Sequence, residues 1–392
     1  MEKRKSFFTG MAVGVLLMLV FMVGANAYDR HVRWGGRMSP NQKVMEIYTL
    51  LNNHSIMPFD MDEMLENMYR GFLAGVGDPY TMYFDYEAVQ AFHERNEGTF
   101  VGVGINVMMD PEDMTLTIVN VVEDSPAYHM RLLPGDKVLA VDGVDAVGRP
   151  LPEVMGMIQG EEGTEVSLLI IRPYEDIRFE VNIVRRRIEN QTVHHQMIDD
   201  IGYIRITRFE QPTLPQFNAA MEELQEKGMT GLIVDVRGNP GGLLNIVGRI
   251  TEQLIPEGFV VFTEDVNGNR HYTPSDEDYL GLPLVVLVNG SSASASEVLS
   301  GAVKDTGVGV IVGEQTFGKG IVQSLLYLSD RTGIKLTISK YFTPSGESIH
   351  GVGVTPDVIV EMEETLARQI GELPLYKDVQ LQAAIEVVGR IR

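Results

Sequence analysis

Cysteine is absent from the 392 residues of this chain. Disulfides, thiolate nucleophiles and Cys-rich zinc sites are therefore excluded, while the redox compartment stays open. Positive charge is also short: 32 Lys and Arg stand against 54 Asp and Glu, a net charge of −22. Such a field repels a phosphate backbone, so nucleic acid is not an expected partner. The chain has neither a repeat with a period of about 20 to 50 residues nor a low-complexity tract. What remains is ordinary globular composition, 44% hydrophobic and 22% charged, long enough for two or three compact units.

An uncharged run from Phe7 to Gly24 follows Lys3, Arg4 and Lys5 and precedes Ala25-Asn26-Ala27, a small-x-small pattern. Residues 1–27 are expected to be a signal peptide or an N-terminal membrane anchor. Both readings stand, because the run is short for a spanning helix and long for the apolar part of a signal. A buried core helix is the bland alternative. The basic start places the N-terminus in the cytoplasm, so residues beyond about Tyr28 are expected in the periplasm, in the cell envelope or secreted.

Further on, the period of the apolar residues changes twice. Val44, Ile47, Leu50 and Leu51, then Met64, Met68, Phe72 and Leu73, keep helical spacing, so residues 38–96 read as a helical unit. Residues 97–187 carry short β-rich runs (FVGVGINV, LTIVNVV, KVLAVDG, VSLLIIRP) broken by turn clusters, with one helical stretch, LPEVMGMIQG. From Gly202, strands such as GLIVDV, PLVVLVN and VGVIVG alternate with helical segments, which predicts βαβ units around a largely buried sheet over 188–365. IVQSLLYL and GIKLTISKYF, separated by SDRTG, read as a hairpin, and 366–392 as a C-terminal helical segment.

The stretch GEQTFGKG, Gly313 to Gly320, is nearly a phosphate loop. The hydroxyl residue that would bind magnesium is replaced by Gly320, and an apolar strand follows where a helix is required, so a nucleotide site is not expected. Another role for Lys319 comes from PLVVLVNGSSASASEVLSG, where a buried strand passes through small residues into a helix. Chemistry in open α/β sheets gathers at such strand ends. Ser294 there lies by a helix N-terminus whose N–H groups can stabilise an oxyanion. Ser294-x-x-Glu297 is also a capping box, the plainer reading. A serine nucleophile needs a base, and among the histidines only His350 lies in a Gly-rich loop. A buried lysine with a lowered pKa can replace histidine. Lys319 is the candidate, against the alternative of a solvated turn lysine. Gln323, two side-chain alternations further on, could orient it or could be an exposed strand residue. The loop Arg237-Gly-Asn-Pro-Gly-Gly242 could bring bare N–H groups to a substrate carbonyl, or be a plain turn.

These residues sit within DPYTMYFD (78–85), FVGVGI (100–105), LPGDKVLAVDG (133–143), DVRGNPGG (235–242), VNGSSASASE (288–297), GEQTFGKGIVQ (313–323) and YFTPSGESIHGVGVTPD (341–357). In that order they closely resemble the carboxyl-terminal processing peptidases, or tail-specific proteases, over nearly the whole chain. The resemblance implies an α/β peptidase core of the crotonase or Clp-peptidase kind with an inserted PDZ domain. It implies a serine endopeptidase with Ser294 as nucleophile, Lys319 as general base and Gln323 assisting, without metal or ATP. It implies an oxyanion hole from Ala295 and one of Gly241 and Gly242. The PDZ domain would capture protein substrates with apolar C-terminal tails. Gly102, Val103, Gly104 and Ile105 would cradle the carboxylate, and Ile105, Val107, Val154 and Ile158 would line a side-chain pocket unless they are ordinary core. One departure is Arg131, where the family has a glycine suited to a left-handed helix end. A catalytically silent PDZ adaptor is the alternative of another class. The terminal helices could serve a homodimer or pack on their own domain.

Overall fold

The computed structural model describes residues 38–371 and 373–392, so the leader lies outside the described residues. Among the described residues no helix is long and apolar enough to cross a membrane. The chain divides into two compact units, with the break between Tyr69 and Arg70. The first is helical. Helix α1 (Pro40–His54) starts at a capping box in which Ser39 Oγ accepts the Gln42 N–H and Gln42 Oε1 accepts the Ser39 N–H. Helix α2 (Met61–Ala74) begins where the Asp60 carboxylate accepts the N–H groups of Asp62 and Glu63.

The break falls within α2, so the second unit starts with the last turn of that helix and continues with strand β1 (Met82–Phe84) and α3 (Tyr86–Glu97), capped by Asp85. Next comes the β-rich insert. Its strands are β2 (Thr99–Gly102), β3 (Ile105–Met109), β4 (Leu116–Val121), β5 (Lys137–Val141), β6 (Val144–Asp145), β7 (Glu165–Arg172), β8 (Ile177–Val184) and β9 (Arg186–Glu189). Helix α4 (Pro126–His129) follows β4, and α5 (Leu151–Ile158) is the helix expected from LPEVMGMIQG. The sheet order is β3-β4-β5-β7-β8, with β6 on β5, so β3 is an edge strand. FVGVGINV, a single run by pattern, splits at Val103-Gly104. Its first half, β2, pairs instead with β9 in a separate two-stranded ribbon where the insert is entered and left. The cause is local: Gly104 has φ +87, and a Cβ there would lie 2.1 Å from Ser125 Cβ, so the chain turns at a position only glycine fills.

Arg131 adopts the left-handed φ of +57. Its carbonyl accepts from Arg172 Nη2 at 3.0 Å, and Arg172 is itself paired with the buried Asp136 at 2.7 Å. The loop geometry is thus held despite the strain. Relief of roughly 1 to 2 kcal/mol, less the entropy that glycine adds to the unfolded chain, leads us to expect Arg131→Gly to stabilise the protein by about 0.5–1 kcal/mol. Urea unfolding checks this, and a loss of stability would contradict it.

The α/β core contains β10 (Val193–Ile198), β11 (Ile201–Ile206), α6 (Thr213–Glu226), β12 (Gly231–Asp235), α7 (Leu244–Thr251), β13 (Gly258–Asp265), β14 (Arg270–Ser275), β15 (Leu284–Val288), α8 (Ala295–Thr306), β16 (Gly309–Gly313), β17 (Ile321–Tyr327), β18 (Gly333–Phe342) and β19 (Val358–Ile359). Helices α9 (Glu364–Ala367) and α10 (Val379–Ile391) end it. The main sheet runs β10-β11-β12-β15-β16-β19, parallel except for the β10–β11 pair. Both faces are covered. Leu232, Val234, Val286 and Val288 join one core with Phe217, Ile250 and Leu299. Ile233, Val285 and Leu287 join another with Leu381, Ala384 and Val388 of α10. Strands buried on both faces read as unbroken apolar runs, as GLIVDV and PLVVLVN do. The hairpin β17–β18 forms as expected, within a second sheet ordered β1-β18-β13-β14. Beneath the main sheet's carboxyl edge, fully buried Arg237 binds Asp235 at 2.6 Å and Asp378 at 2.8 Å, anchoring the start of α10. Burial alone would raise the Asp235 pKa, but the charge and hydrogen bonds of Arg237 hold it below the ordinary value.

Candidate active site

Strands β12 and β15 are parallel neighbours, with Asp235 beside Leu287, so the loops leaving them emerge together. Buried polar groups join the two loops. Asn239 Oδ1 accepts the Gly241 N–H (2.8 Å), and its carbonyl accepts from the Ala293 N–H (3.0 Å) and Ser296 Oγ (2.9 Å). Ser292 Oγ donates to the Val236 carbonyl at 2.8 Å, and Asn289 Oδ1 accepts the Gly238 N–H at 3.0 Å. Gly241 lies so close that a Cβ would stand 2.8 Å from Ser294 Cβ and 3.0 Å from the Ala295 nitrogen, and its φ is +104. No side chain fits there.

Ser294 has φ +57 and ψ −112, a strained turn directly before α8. It lines a cavity of about 440 Å³ together with Gly241, Gly242, Ala295, Lys319, Gln323 and Tyr341. The N–H groups of Ala295 and Gly242 donate no hydrogen bond among the described residues, whereas that of Gly241 is committed to Asn239. Of the glycine pair, then, Gly242 has the free amide.

Lys319, in the loop between β16 and β17, is half-buried. Its Nζ stands 4.9 Å from the centre of the Tyr80 ring, a cation–π distance. Burial pushes its pKa below the ordinary lysine value, partly opposed by the charges of Asp78 and Glu297. Among the described residues no hydrogen bond joins Ser294 and Lys319. Gln323 Nε2 donates to the Tyr80 carbonyl at 2.6 Å rather than to Lys319. Counting by twos from Lys319 does not settle which way Gln323 faces, because Lys319 precedes the strand and a register shift falls between Val322 and Gln323. The two side chains still meet at one residue, Tyr80, one through its ring and the other through its backbone.

Tyr80 itself is fixed by Asp78, whose carboxylate accepts the Tyr80 N–H (3.0 Å), Thr81 Oγ1 (2.7 Å) and Thr337 Oγ1 (2.6 Å). Burial would raise the Asp78 pKa, but these hydrogen bonds win and lower it. The buried Tyr341 hydroxyl donates to the Lys319 carbonyl. Its pKa is raised by burial and by the nearby Glu297 charge, so it remains a phenol.

The residue that sequence pattern leaves in a bland role is Glu297, which reads only as a capping partner. It is fully buried, and its carboxylate collects four donors. Oε1 accepts from Thr316 Oγ1 (2.6 Å) and the Gly318 N–H (2.6 Å), and Oε2 from the N–H groups of Ser294 (2.8 Å) and Lys319 (2.8 Å). One carboxylate thus binds the backbones of both chemically suited residues. The S-x-x-E spacing was the available signal, and the contact with the GEQTFGKG loop is what it could not show.

In the insert, the Val103 and Gly104 amides donate no hydrogen bond among the described residues, and they sit where the edge strand β3 begins. Gly102 is in the ribbon opposite Arg186. Val103, Ile105, Val154 and Ile158 are buried in the domain's own core, with Val107 partly buried against it. The plain core reading therefore describes most of the expected pocket, for helix α5 packs its apolar face directly on the sheet.

A peptidase core that carries a PDZ domain is the class these features define. A family model for "Peptidase family S41" matches residues 200–360, and one for "PDZ domain" matches 117–172. The chain is 36% identical over 322 residues to a carboxyl-terminal-processing protease of Synechocystis, covering 81% of this chain and 75% of the relative. It is 32% identical over 328 residues to the carboxy-terminal processing protease CtpB of Bacillus subtilis, covering 82% and 68%. A structure of a putative S41 protease from Bacteroides fragilis shares the fold at a TM-score of 0.53 and 16% identity, covering 86% of this chain and 93% of that one. The chain belongs to the carboxyl-terminal processing proteases of peptidase family S41, and it is a serine-type peptidase.

Proposed function

We propose that this chain is an exported endopeptidase that binds the C-terminal tails of protein substrates through its PDZ domain and hydrolyses peptide bonds with a Ser294–Lys319 dyad. Ser294 Oγ attacks the scissile carbonyl while neutral Lys319 takes its proton. The amides of Ala295 and Gly242, which carry no other hydrogen bond among the described residues, would hold the oxyanion. Gln323 acts on Lys319 through Tyr80. The observation that carries this reading is Glu297, which ties the nucleophile and the base to one buried group. Export rests on the leader sequence.

An extended tail would add to the free edge of β3, its carboxylate meeting the Val103 and Gly104 amides. Tail docking on the insert would tighten the Ser294–Lys319 geometry for reaction. The test is cleavage of an unstructured protein with an apolar C-terminus by residues 28–392, in EDTA and without ATP, against Ser294→Ala. We expect cleavage by the parent, its loss in Ser294→Ala, and stimulation of the parent by short peptides ending in apolar residues. Cleavage that survives in Ser294→Ala would remove this nucleophile. A parent that binds the tail without cutting would favour a silent adaptor.

A further inference from the structure

The charge of the catalytic cavity is opposite to that of the chain. The whole protein carries 54 acids against 32 bases, yet among the described residues the cavity lining includes Arg95, Arg208, Lys319 and Lys335 and not one Asp or Glu. The two carboxylates that influence Lys319 are already occupied: Asp78 by three hydrogen-bond donors and Glu297 by four. Arg208 is paired with Glu210 at 3.0 Å. The side chains of Arg95 and Lys335 make neither an ion pair nor a hydrogen bond among the described residues.

Their placement is built by the fold. Lys335 lies on β18 opposite Met82 of β1, and its Nζ stands 6.0 Å from the centre of the Phe84 ring. Arg95 occupies the last turn of α3, the helix that follows β1. Lys335 is half-buried, and its amine is pushed below the ordinary lysine value by burial first, then by the charges of Lys319 and Arg95. A desolvated cation pressed by two others, with no protein anion beside it, is a place where an anion binds with gain. The neighbouring lining, Phe84, Phe92, Leu243, Leu244 and Val298, is apolar.

We propose that Arg95 and Lys335 form a carboxylate-binding subsite within the catalytic cavity. It takes an acidic group of the bound peptide, flanked by apolar residues and close to the bond to be cut. The carboxylate comes from an Asp or Glu side chain or from the end of the peptide itself. The proposal deepens the peptidase reading and rests on it.

One apolar peptide is prepared with Glu, Gln or Lys at single positions on either side of the scissile bond, each with a free and an amidated C-terminus. Cleavage is measured with the parent chain and binding with Ser294→Ala. We expect one position at which Glu exceeds Gln about tenfold in kcat/KM and in affinity, with the ratio shrinking in high salt. That ratio falls toward one in Arg95→Gln/Lys335→Gln, falls partway in Arg95→Gln alone, where the exposed helix position leaves the fold intact, and survives in Lys335→Arg. If the effect follows the free terminus instead, the part that the double variant removes assigns the terminal carboxylate as the source. Glu, Gln and Lys peptides within twofold of one another at every position, or a preference that persists in the double variant, overturns the subsite. Binding preference without cleavage by the parent upholds the subsite and sinks the dyad, and cleavage without preference does the reverse.

Discussion

Lys319→Met is expected to leave the protein folded and to reduce kcat/KM by about 10³-fold or more, the scale on which a positioned general base acts. The Lys319 amine is depressed by burial, so a larger fraction is neutral near pH 8 than for a free lysine, and in the proposed mechanism the neutral amine is the form that accepts the serine proton. Activity should therefore rise with pH and level off below the ordinary lysine value of 10.5. The same shift fixes the sign of its effect on stability. A lysine whose folded pKa is lowered binds fewer protons in the native state, so folding is penalised at neutral pH and relieved as pH rises toward the unfolded value. Replacing it by methionine removes that penalty, and the melting temperature should stay level or increase at pH 7. A pH–rate profile and a thermal scan decide the matter. A rate that is flat or falling from pH 7 to 10, or a variant retaining a tenth of the activity, would dismiss Lys319 as the base.

Glu297→Gln should be costly in both stability and rate. Each carboxylate oxygen accepts two hydrogen bonds, all from donors. Turning one oxygen into NH₂ sets donor against donor at a fully buried position, whichever way the amide is placed. Each buried donor left facing the new NH₂ costs about 1–3 kcal/mol, and the shared anchor of the Ser294 and Lys319 backbones is weakened. Because these groups sit within an ångström-scale reaction geometry, we expect kcat to fall about 10²-fold or more with a smaller change in KM. Denaturant unfolding and steady-state kinetics on the surviving folded protein separate the two effects. Wild-type stability in Glu297→Gln would show that the carboxylate is not the linchpin described.

That Ser294, Lys319 and the Gly241-Gly242 turn share one cavity was legible because strand ends leave a local mark: small residues after an apolar run. The α/β core was legible for the same reason, since strands buried on both faces are written as unbroken apolar runs. Contacts made across long sequence separations left no such mark. Tyr80 meets Gln323 across 243 positions, and nothing near either residue announces the other. Glu297 carries a signal, but capping accounts for it fully until the GEQTFGKG loop is seen to close over it. For Val154 and Ile158 the limit is different: helical spacing shows which face is apolar and is silent on whether that face meets a ligand or the next strand. The β13–β14 hairpin had an Asn267-Gly268 turn as its clue, weak against the surrounding βαβ rhythm.

The ribbon of β2 and β9 brings Gly102 opposite Arg186, a separation of about 5 Å between the two points where the chain leaves and rejoins the core. To the catalytic sheet, the eighty-odd intervening residues have the end-to-end span of a tight turn. A module of entirely different architecture could be grafted at this junction, provided that its own ends lie one strand pair apart. What such a protein cuts and what it recognises are therefore separable by splicing, with the ribbon as the seam.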